Sequence, residues 1–389
     1  MNHLFPNTRA IHFTTYQTRC ISDQALEKLQ SLMYNTYMVH IEKQQFGMLS
    51  DGTEIFLYTI NNGNMKITIT NYGACITGIF LPAKNAHGFD DIILGYSTLD
   101  GYIRNEAHFG SLLGRVSGRI SNAMCKIDAE EYLLTKNEGA HCVHSGFPAY
   151  DRQVWNSTYD AGADNGTVFL ERYSYDGEQG FPGSLQILVS YTLTVDNEFV
   201  IRAYAKTDAP TFVNLSNHTF FNLNPAGMQQ DGSFVSVLNH ELLIPSDEYL
   251  EMNDALLPTG ALLSLEGSAY DFRKPKLLNT VITPESSGFE VSYVSKTTID
   301  SYKALACVLH EPVTGRMLRV YSTQPALTVS TANSLKNHIG KNGNRYEKFS
   351  GICLESQNFP DSPNHSNFPS ALLLPEQIYN QETVWYFTF

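Results

Sequence analysis

The chain has 389 residues, of which 42% are hydrophobic and 17% are charged, and its formal net charge at pH 7 is -13. A chain of this size can bury a large core, and its negative charge argues against nucleic acid or an anionic membrane as the main partner. Because charged residues are scarce, Asn, Ser, Thr, Gln and Tyr must supply much of the polar surface, as is typical of β-rich proteins.

The cysteines and the first residues favour a cytoplasmic protein. The 6 cysteines form no C-x-x-C pair, and their spacing indicates neither a zinc site nor a disulfide framework. No signal peptide is visible, and no apolar run approaches the roughly 18 residues that span a bilayer. We therefore expect reduced thiols, a cytoplasmic location and no membrane partner.

Residues 1–45 differ in pattern from the rest of the chain. Apolar residues recur at helical spacing between Ser22 and Tyr34, and Ser22 or Asp23 is a plausible N-cap. We predict a short amphipathic helix within a partly disordered extension over residues 1–45. A single β domain is expected over residues 46–389.

Strand patterns dominate after this extension. Residues 65–71 alternate after an Asn62-Gly63 turn, and every second side chain is apolar over residues 185–195. A turn leads from there into residues 199–204, so that these two runs predict an antiparallel hairpin. No series of strands alternating with long helices occurs. The pattern predicts an all-β fold, built as a large antiparallel sandwich.

Glu355 lies in the middle of a predicted strand over residues 351–357. Period-2 alternation places Ile352 and Leu354 on one face of this strand and Glu355 on the other. Burying an unpaired carboxylate is costly, so such a residue lies on a hydrated face or in a site that uses it. On residue type alone, a solvated or salt-bridged residue is the commoner case. The polar residues that follow favour a general base. They are Asn358, Asp361 and Asn364.

His218 lies in a second polar stretch, residues 214–223, which also alternates like a strand. Alternation puts His218, Phe220 and Asn222 on one face, where an aromatic ring and amides could hold a sugar. A lone histidine is more often a satisfied core residue, but an unperturbed pKa of about 6.5 allows proton donation near neutrality. A carboxylate and an imidazole held by strands would suit general acid–base chemistry.

Two further candidates, Arg119 and His144, lie upstream. Arg119 follows Gly118 in a glycine-bounded turn whose spacing does not match a phosphate loop. Its guanidinium suits bidentate contact with hydroxyl or carboxylate groups, or a surface ion pair. His144 follows His141 by three residues, but no H-E-x-x-H and no cysteine pair accompanies them, so we predict no metal site. No G-x-S-x-G or G-x-G-x-x-G motif occurs.

A series of short motifs extends from about Phe46 to Phe389. They include Asn71-Tyr-Gly-Ala74, Gly118-Arg-Ile120, His144-Ser-Gly146, Gly180-Phe-Pro-Gly183, Asn214 to Leu223, Pro258-Thr-Gly260, Asp271-Phe-Arg273 and Gly351 to Gln357. Each motif is weak alone, but in this order they resemble the motifs of the aldose 1-epimerase family.

The resemblance implies a galactose mutarotase-like β-supersandwich that interconverts the α and β anomers of a free aldose. It implies that Glu355 accepts the proton of the C1 hydroxyl and that His218 protonates the ring oxygen. No metal or organic cofactor is implied, and we expect a small sugar as substrate and a monomer or homodimer. The substrate-binding residues implied are Arg119, His144, Asn217, Glu290 and Thr328.

Three positions depart from the family's pattern. Gly118 stands where the family usually has Asn, Glu290 where it has Asp, and Thr328 where it has Gln. The acid–base pair is retained while the residues expected to contact hydroxyls differ. We therefore predict retained mutarotation with an altered sugar preference.

Two alternatives stay open from the sequence. A hexose 6-phosphate epimerase would need several Arg or Lys residues around its pocket, and the net charge of -13 disfavours it. A non-catalytic carbohydrate-binding sandwich would fit the altered residues, but binding alone requires neither Glu355 nor His218. Rates on a sugar and its 6-phosphate test the first alternative, and polarimetry tests the second.

Overall fold

The computed structural model describes residues 39–84, 87–224, 235–283, 286, 288–296 and 303–389, and these are mostly β-strands. The first half contains β1 (His40–Met48), β2 (Glu54–Asn61), β3 (Lys66–Thr70), β4 (Cys75–Pro82), β5 (Phe89–Asp91), β6 (Leu112–Leu113), β7 (Arg119–Ile120), β8 (Met124–Ile127), β9 (Glu130–Leu133), β10 (Cys142–Val143), β11 (Asn156–Ala161), β12 (Asn165–Ser174), β13 (Leu185–Thr194) and β14 (Glu198–Thr207).

The second half contains β15 (Thr211–Phe212), β16 (Ser216–Asn217), β17 (Phe220–Phe221), β18 (Glu241–Leu243), β19 (Glu248–Met252), β20 (Pro258–Ser264), β21 (Lys276–Leu277), β22 (Glu290–Val294), β23 (Ala304–His310), β24 (Met317–Ser322), β25 (Ala326–Ser330), β26 (His338–Ile339), β27 (Arg345–Tyr346), β28 (Ile352–Gln357), β29 (Leu372–Leu373) and β30 (Tyr379–Thr388). One short α-helix, α1, spans Leu99–Arg104. Single 3-10 turns lie at Ser121–Ala123, Tyr150–Arg152, Glu178–Gly180, Val237–Asn239, Leu278–Thr280, Lys341–Gly343 and Ser362–Asn364.

Three large sheets organise these strands. They are a 5-stranded sheet (β1-β2-β3-β4-β5), a 9-stranded sheet (β11-β12-β13-β14-β30-β24-β23-β18-β21) and a 6-stranded sheet (β17-β28-β25-β22-β19-β20). Neighbouring strands in all three run antiparallel. The all-β, antiparallel fold predicted from the sequence is thereby confirmed.

One hydrophobic cluster connects the three sheets. Ile67 from the 5-stranded sheet, Val189 and Trp385 from the 9-stranded sheet, and Leu354 from the 6-stranded sheet all belong to it and are buried. Burying an aliphatic or aromatic side chain of this size contributes about 1.5–3 kcal/mol. The polar pocket described below therefore rests on a core shared by all three layers.

The hairpin predicted over residues 185–204 is confirmed. β13 and β14 pair with Leu193 opposite Phe199 and Leu185 opposite Thr207. The side chains at every second position of β13 are buried, because this face of the 9-stranded sheet covers the core. The strand predicted over residues 65–71 is also present, as β3.

The N-terminal boundary differs from the prediction. Residues 40–45 belong to β1, which pairs with β2 at the edge of the 5-stranded sheet, rather than to an extension that ends at residue 45. Most β1 side chains are exposed, so this edge strand lacks the apolar alternation that would have revealed it. The predicted helix near residues 22–34 lies outside the described residues.

The structure describes five of the cysteines. Within the described ranges they are buried and free. They are Cys75, Cys125, Cys142, Cys307 and Cys353. Among the helices of these ranges, none has the length and apolar character needed to cross a bilayer.

Candidate active site

A polar pocket lies on one face of the 6-stranded sheet. Its floor comes from β22, β25 and β28, where Ser292, Thr328 and Glu355 stand opposite one another in register. Alternation turns the intervening Val291, Val329 and Leu354 to the core on the opposite face. Six side chains of these strands line the pocket, two from each strand. They are Glu290, Ser292, Thr328, Ser330, Glu355 and Gln357.

Glu355 lies on this floor with only 5% of its surface exposed. Burial raises the pKa of its carboxyl to about 8, and the negative charge of Glu290 adds to the increase. Ser117, whose Oγ lies 3.5 Å from Oε2, and the charge of Arg119 oppose the increase. The face of β28 and the position of Glu355 on it are as the sequence predicts.

His218 lies directly above Glu355, with Nε2 3.6 Å from Oε1. It is not in a continuous strand, contrary to the prediction. β16 pairs with β6 and β17 pairs with β28, and His218 lies at the break where the chain changes partner. Backbone hydrogen bonds fix this break, since His218 N–H donates to Ser111 O and Gly110 N–H donates to His218 O, each at 2.9 Å.

The imidazole of His218 is held in its neutral form. Burial, together with the nearby charge of His108, lowers the pKa of His218 to about 3. Backbone carbonyls of Ala107 and His108 partly offset this decrease. With the raised pKa of Glu355, the favoured state at neutral pH is therefore a protonated carboxyl beside a neutral imidazole.

His144 reaches the same pocket from the end of β10. Arg119 of β7 pairs with Val143, which brings the two predicted residues side by side. His144 Nδ1 accepts a hydrogen bond from Gly118 N–H at 3.2 Å, and burial holds its pKa well below the usual value. In the neutral ring the proton therefore resides on Nε2, which can donate to a ligand.

Arg119 contacts two carboxylates at the pocket. Its Nη1 donates to Glu290 Oε1 at 3.0 Å, and its Nε and Nη2 donate to the two carboxylate oxygens of Glu138 at 2.6 and 3.1 Å. The bidentate contact expected of Arg119 thus exists within the protein. Glu290, predicted from the resemblance, also lines the pocket.

Two residues expected to contact the sugar, Asn217 and Phe220, lie outside the pocket lining. Asn217 is not among the pocket-lining residues, because its amide donates to Gly110 O at 3.0 Å and its oxygen accepts from Thr219. Phe220 is buried edge-on against the His218 ring and supports it from outside the pocket. The apolar lining comes instead from Met252, Leu256 and Pro360.

Gly118 and Thr328, two of the positions that differ from the family's pattern, both lie next to Gln357. Gln357 Nε2 donates to Thr328 Oγ1 at 2.7 Å, while Gln357 Oε1 has no hydrogen-bond partner within the described ranges. A Cβ added at Gly118 would lie 3.4 Å from Pro360 and 3.7 Å from this oxygen. We did not predict Gln357 as a site residue, although it follows Glu355 by two positions and so shares its face.

A third histidine, His108, also borders the pair. Its Nδ1 lies 2.7 Å from Oδ2 of the buried Asp151, and its ring centroid lies 5.2 Å from His144 and 6.0 Å from His218. Nothing in the local sequence predicts this contact, because Asp151 is distant along the chain. Only the folded structure brings the three rings together.

One group of side chains in the described ranges could hold a metal ion. Ligand atoms of His218, Cys353 and Glu355 lie within 4.8 Å of one another. Cys353 is fully buried beneath the other two and does not line the pocket. Burial raises the pKa of its thiol well above the usual value, which disfavours the thiolate that would bind a metal.

The structure is thus an antiparallel all-β fold with a buried carboxyl–imidazole pair in a polar pocket. The sequence model of the family described as aldose 1-epimerase matches residues 57–386. The chain therefore belongs to the aldose 1-epimerase family, as the motifs indicated.

Curated relatives and a solved structure agree with this assignment. The chain is 37% identical to galactose mutarotase of Mus musculus over 353 residues, which cover 90% of this chain and 98% of the relative. It is 31% identical to aldose 1-epimerase of Escherichia coli K12 over 345 residues, covering 87% and 96%. An aldose epimerase homologue from C. elegans superposes with a TM-score of 0.77 at 25% identity, covering 90% of this chain and 99% of that one. The predicted galactose mutarotase-like fold is confirmed.

Proposed function

We propose that Glu355 and His218 interconvert the α and β anomers of a free aldose in this protein. The enzyme is an isomerase, and its relatives are named galactose mutarotase and aldose 1-epimerase. One observation carries the proposed roles: Glu355 Oε1 and His218 Nε2 lie 3.6 Å apart in one pocket. The anomeric hydroxyl and the ring oxygen of an aldose are bonded to the same carbon, so two groups this close can reach both.

The proton transfers balance in a simple cycle. Glu355 takes the proton of the C1 hydroxyl while His218 gives a proton to the ring oxygen, and the bond between C1 and the ring oxygen breaks. Rotation about C1–C2 then turns the other face of the aldehyde toward the C5 hydroxyl. On closure, that hydroxyl returns its proton to His218 and attacks C1, and Glu355 protonates the carbonyl oxygen. Each positioned proton transfer typically contributes about 10²–10⁴ in rate.

The pKa shifts favour the protonation state that ring closure uses. Ring opening requires a carboxylate and an imidazolium, whereas ring closure requires a carboxyl and a neutral imidazole. Both arrangements contain the same number of protons, so one internal proton transfer interconverts them. The resting state favoured by burial is complementary to the open-chain aldehyde, the species that must be stabilised on the way between anomers.

His144 and Arg119 are proposed to bind the substrate's oxygen atoms. The Nε2–H of His144 is the donor left free by its contact with Gly118, and Arg119 lies beside it. We also propose that the changes at Gly118, Glu290 and Thr328 alter the sugar preference. Gly118 has φ +81°, which Asn tolerates better than most residues, and the space there admits a side chain. Gly118→Asn should shift the relative rates on galactose and glucose, and an unchanged ratio would contradict this role.

Polarimetry of freshly dissolved α-glucose and α-galactose tests the main proposal. The wild type should speed the approach to equilibrium over buffer alone, and Glu355→Gln should lose most of that acceleration while sugar binding is retained. Gln keeps the size of the side chain but cannot accept the proton. Equal rates for the wild type and the variant would overturn the proposal.

Further parts of the proposal concern partners and location. We propose a free sugar as the substrate, a cytoplasmic location, and a monomer or homodimer without nucleic-acid or membrane partners. The net charge of -13 supports the absence of polyanionic partners. No metal or organic cofactor takes part in the proposed cycle.

A further inference from the structure

Arg119 supplies the fixed positive charge of the pocket. Among the described residues that line it, Arg119 is the one Lys or Arg side chain. A guanidinium has five N–H groups, and three of those of Arg119 donate to carboxylates of Glu138 and Glu290. The other two N–H groups have no acceptor among the described residues, so a ligand could accept from them.

Glu138 is held in place by the turn that carries it. Asn137 Oδ1 accepts from Val143 N–H at 2.7 Å, and Asn137 Nδ2 donates to Val143 O at 2.9 Å. His141 N–H donates to Glu138 O at 2.9 Å, and Glu138 N–H donates back to His141 O at 3.3 Å. This turn leads directly into Val143, the partner of Arg119 in the short β7–β10 ladder. The turn thus holds the backbone of Glu138 beside Arg119, and the partly exposed carboxylate reaches the guanidinium from there.

The charges around Arg119 do not favour a second anion. Glu138 and Glu290 each place a carboxylate on the guanidinium, so that two negative charges face one positive charge. A phosphate or carboxylate on the sugar would have to compete with both carboxylates and would be repelled by their negative charges. A neutral hydroxyl needs only one of the free N–H groups.

We propose that Glu138 is a positioning and specificity-determining residue for Arg119. It orients the guanidinium and cancels its charge, so that the pocket accepts uncharged aldoses and rejects sugar phosphates and sugar acids. This inference rests on the proposed function, because it names the class of aldose that the acid–base pair receives. Glu138 itself need not touch the sugar, since it acts through Arg119.

Glu138→Gln tests this role, because it removes the charge while keeping the size of the side chain. The matched control is Glu131→Gln, since Glu131 also lies in an exposed ion pair, with Lys126 at 2.7 Å, and does not line the pocket. KM and kcat are measured by polarimetry on a neutral hexose and on its 6-phosphate. Glu138→Ala serves as a second variant that removes the hydrogen bonds as well.

In Glu138→Gln, we expect kcat on the neutral hexose to change little and KM to rise, because the guanidinium is less fixed. The preference for the neutral sugar over the 6-phosphate should fall by about tenfold or more, since a carboxylate that repels the phosphate is gone. Glu131→Gln should leave this ratio unchanged.

An unchanged ratio in both Glu138 variants would overturn the inference, as would a wild type that accepts the 6-phosphate as readily as the neutral sugar. A loss of rate on both sugars in equal proportion would show a merely structural role and would also overturn it. A wild type without activity on any neutral aldose would refute the proposed function itself, which is a different result.

Discussion

Glu355 and His218 lie side by side in a pocket where burial disfavours a charge on either side chain. Burial raises the pKa of Glu355 to about 8 and lowers the pKa of His218 to about 3. Such opposite shifts in adjacent groups are typical of acid–base sites. Between about pH 3 and pH 8 the pair therefore carries the proton that the proposed cycle needs. This proton lies either on the Glu355 carboxyl, beside a neutral imidazole, or on His218 as an imidazolium, beside a carboxylate.

The pH dependence follows from this count of protons. We expect kcat/KM, after subtraction of the buffer rate, to be flat across neutral pH and to fall above about pH 8. Above that pH Glu355 has lost its proton while His218 stays neutral, so no proton is available for the ring oxygen. Polarimetric rates measured at a series of pH values give this profile. A rate that increases through pH 8 would indicate instead that only the carboxylate matters.

His108 should influence the acidic side of the same profile. Its charge helps to lower the pKa of His218, so His108→Asn should raise that pKa and move the acidic limit of activity to higher pH. His310→Asn is the matched control, because His310 Nδ1 also lies close to a carboxylate oxygen, Glu241 Oε2 at 2.8 Å, but is outside the pocket. An acidic limit that does not move in His108→Asn would contradict the electrostatic role.

At the scale of elements, β28 supports both the core and the site. All of its side chains are buried, with Ile352 and Leu354 in the main hydrophobic cluster and Glu355 and Gln357 in the pocket. The strand lies between β17 and β25, so both edges are hydrogen-bonded. The position of Glu355 therefore depends on the packing of its apolar neighbours on the opposite face.

Leu354→Ala should lower the free energy of unfolding by about 2–5 kcal/mol, because it leaves a cavity in this core. The control is Leu262→Ala on β20, an edge strand where Leu262 is exposed, and its effect should be within about 0.5 kcal/mol. Denaturant unfolding followed by tryptophan fluorescence compares the two. Equal losses in the two variants would mean that β28 is not the support inferred here.

The sequence predicts the parts of this site that follow strand periodicity. Alternation alone places Glu355 opposite Leu354, and the same rule extends to Gln357. It does not predict the break at His218, where the chain changes from one partner strand to another. Nor does it predict the contacts of Asp151 and Glu138, since these depend on long-range folding. Family motifs indicated six of the pocket-lining residues, and they also indicated Asn217, whose amide donates to the backbone carbonyl of Gly110.

At the scale of the whole molecule, Arg316 links two of the large sheets. It lies just before β24 of the 9-stranded sheet and is fully buried. Its Nη2 donates to Pro82 O of β4 at 2.8 Å and to the Asp90 carboxylate of β5, and its Nη1 donates to Leu223 O at 3.1 Å. The 5-stranded and 9-stranded sheets are thereby connected by hydrogen bonds as well as by the shared core.

Arg316→Met should destabilise the protein by about 3–5 kcal/mol, because it removes the donor that the Asp90 carboxylate and the Pro82 carbonyl share. The control is Arg319→Met on β24, whose guanidinium stacks over Tyr386 and does not bridge the sheets. Thermal unfolding of both variants measures the difference. Folded Arg316→Met protein should keep the anomerisation rate of the wild type. A similar melting temperature in the two variants would contradict the linking role.

The central claim is that Glu355 and His218 act as one unit on one sugar. The most direct measurement is the polarimetric rate of Glu355→Gln, His218→Asn and the double variant on the same aldose. If the two residues form a unit, each single change should remove most of the acceleration, and the double variant should be no slower than the worse single variant. Independent, multiplying losses, or single variants that keep nearly the full rate, would contradict the claim.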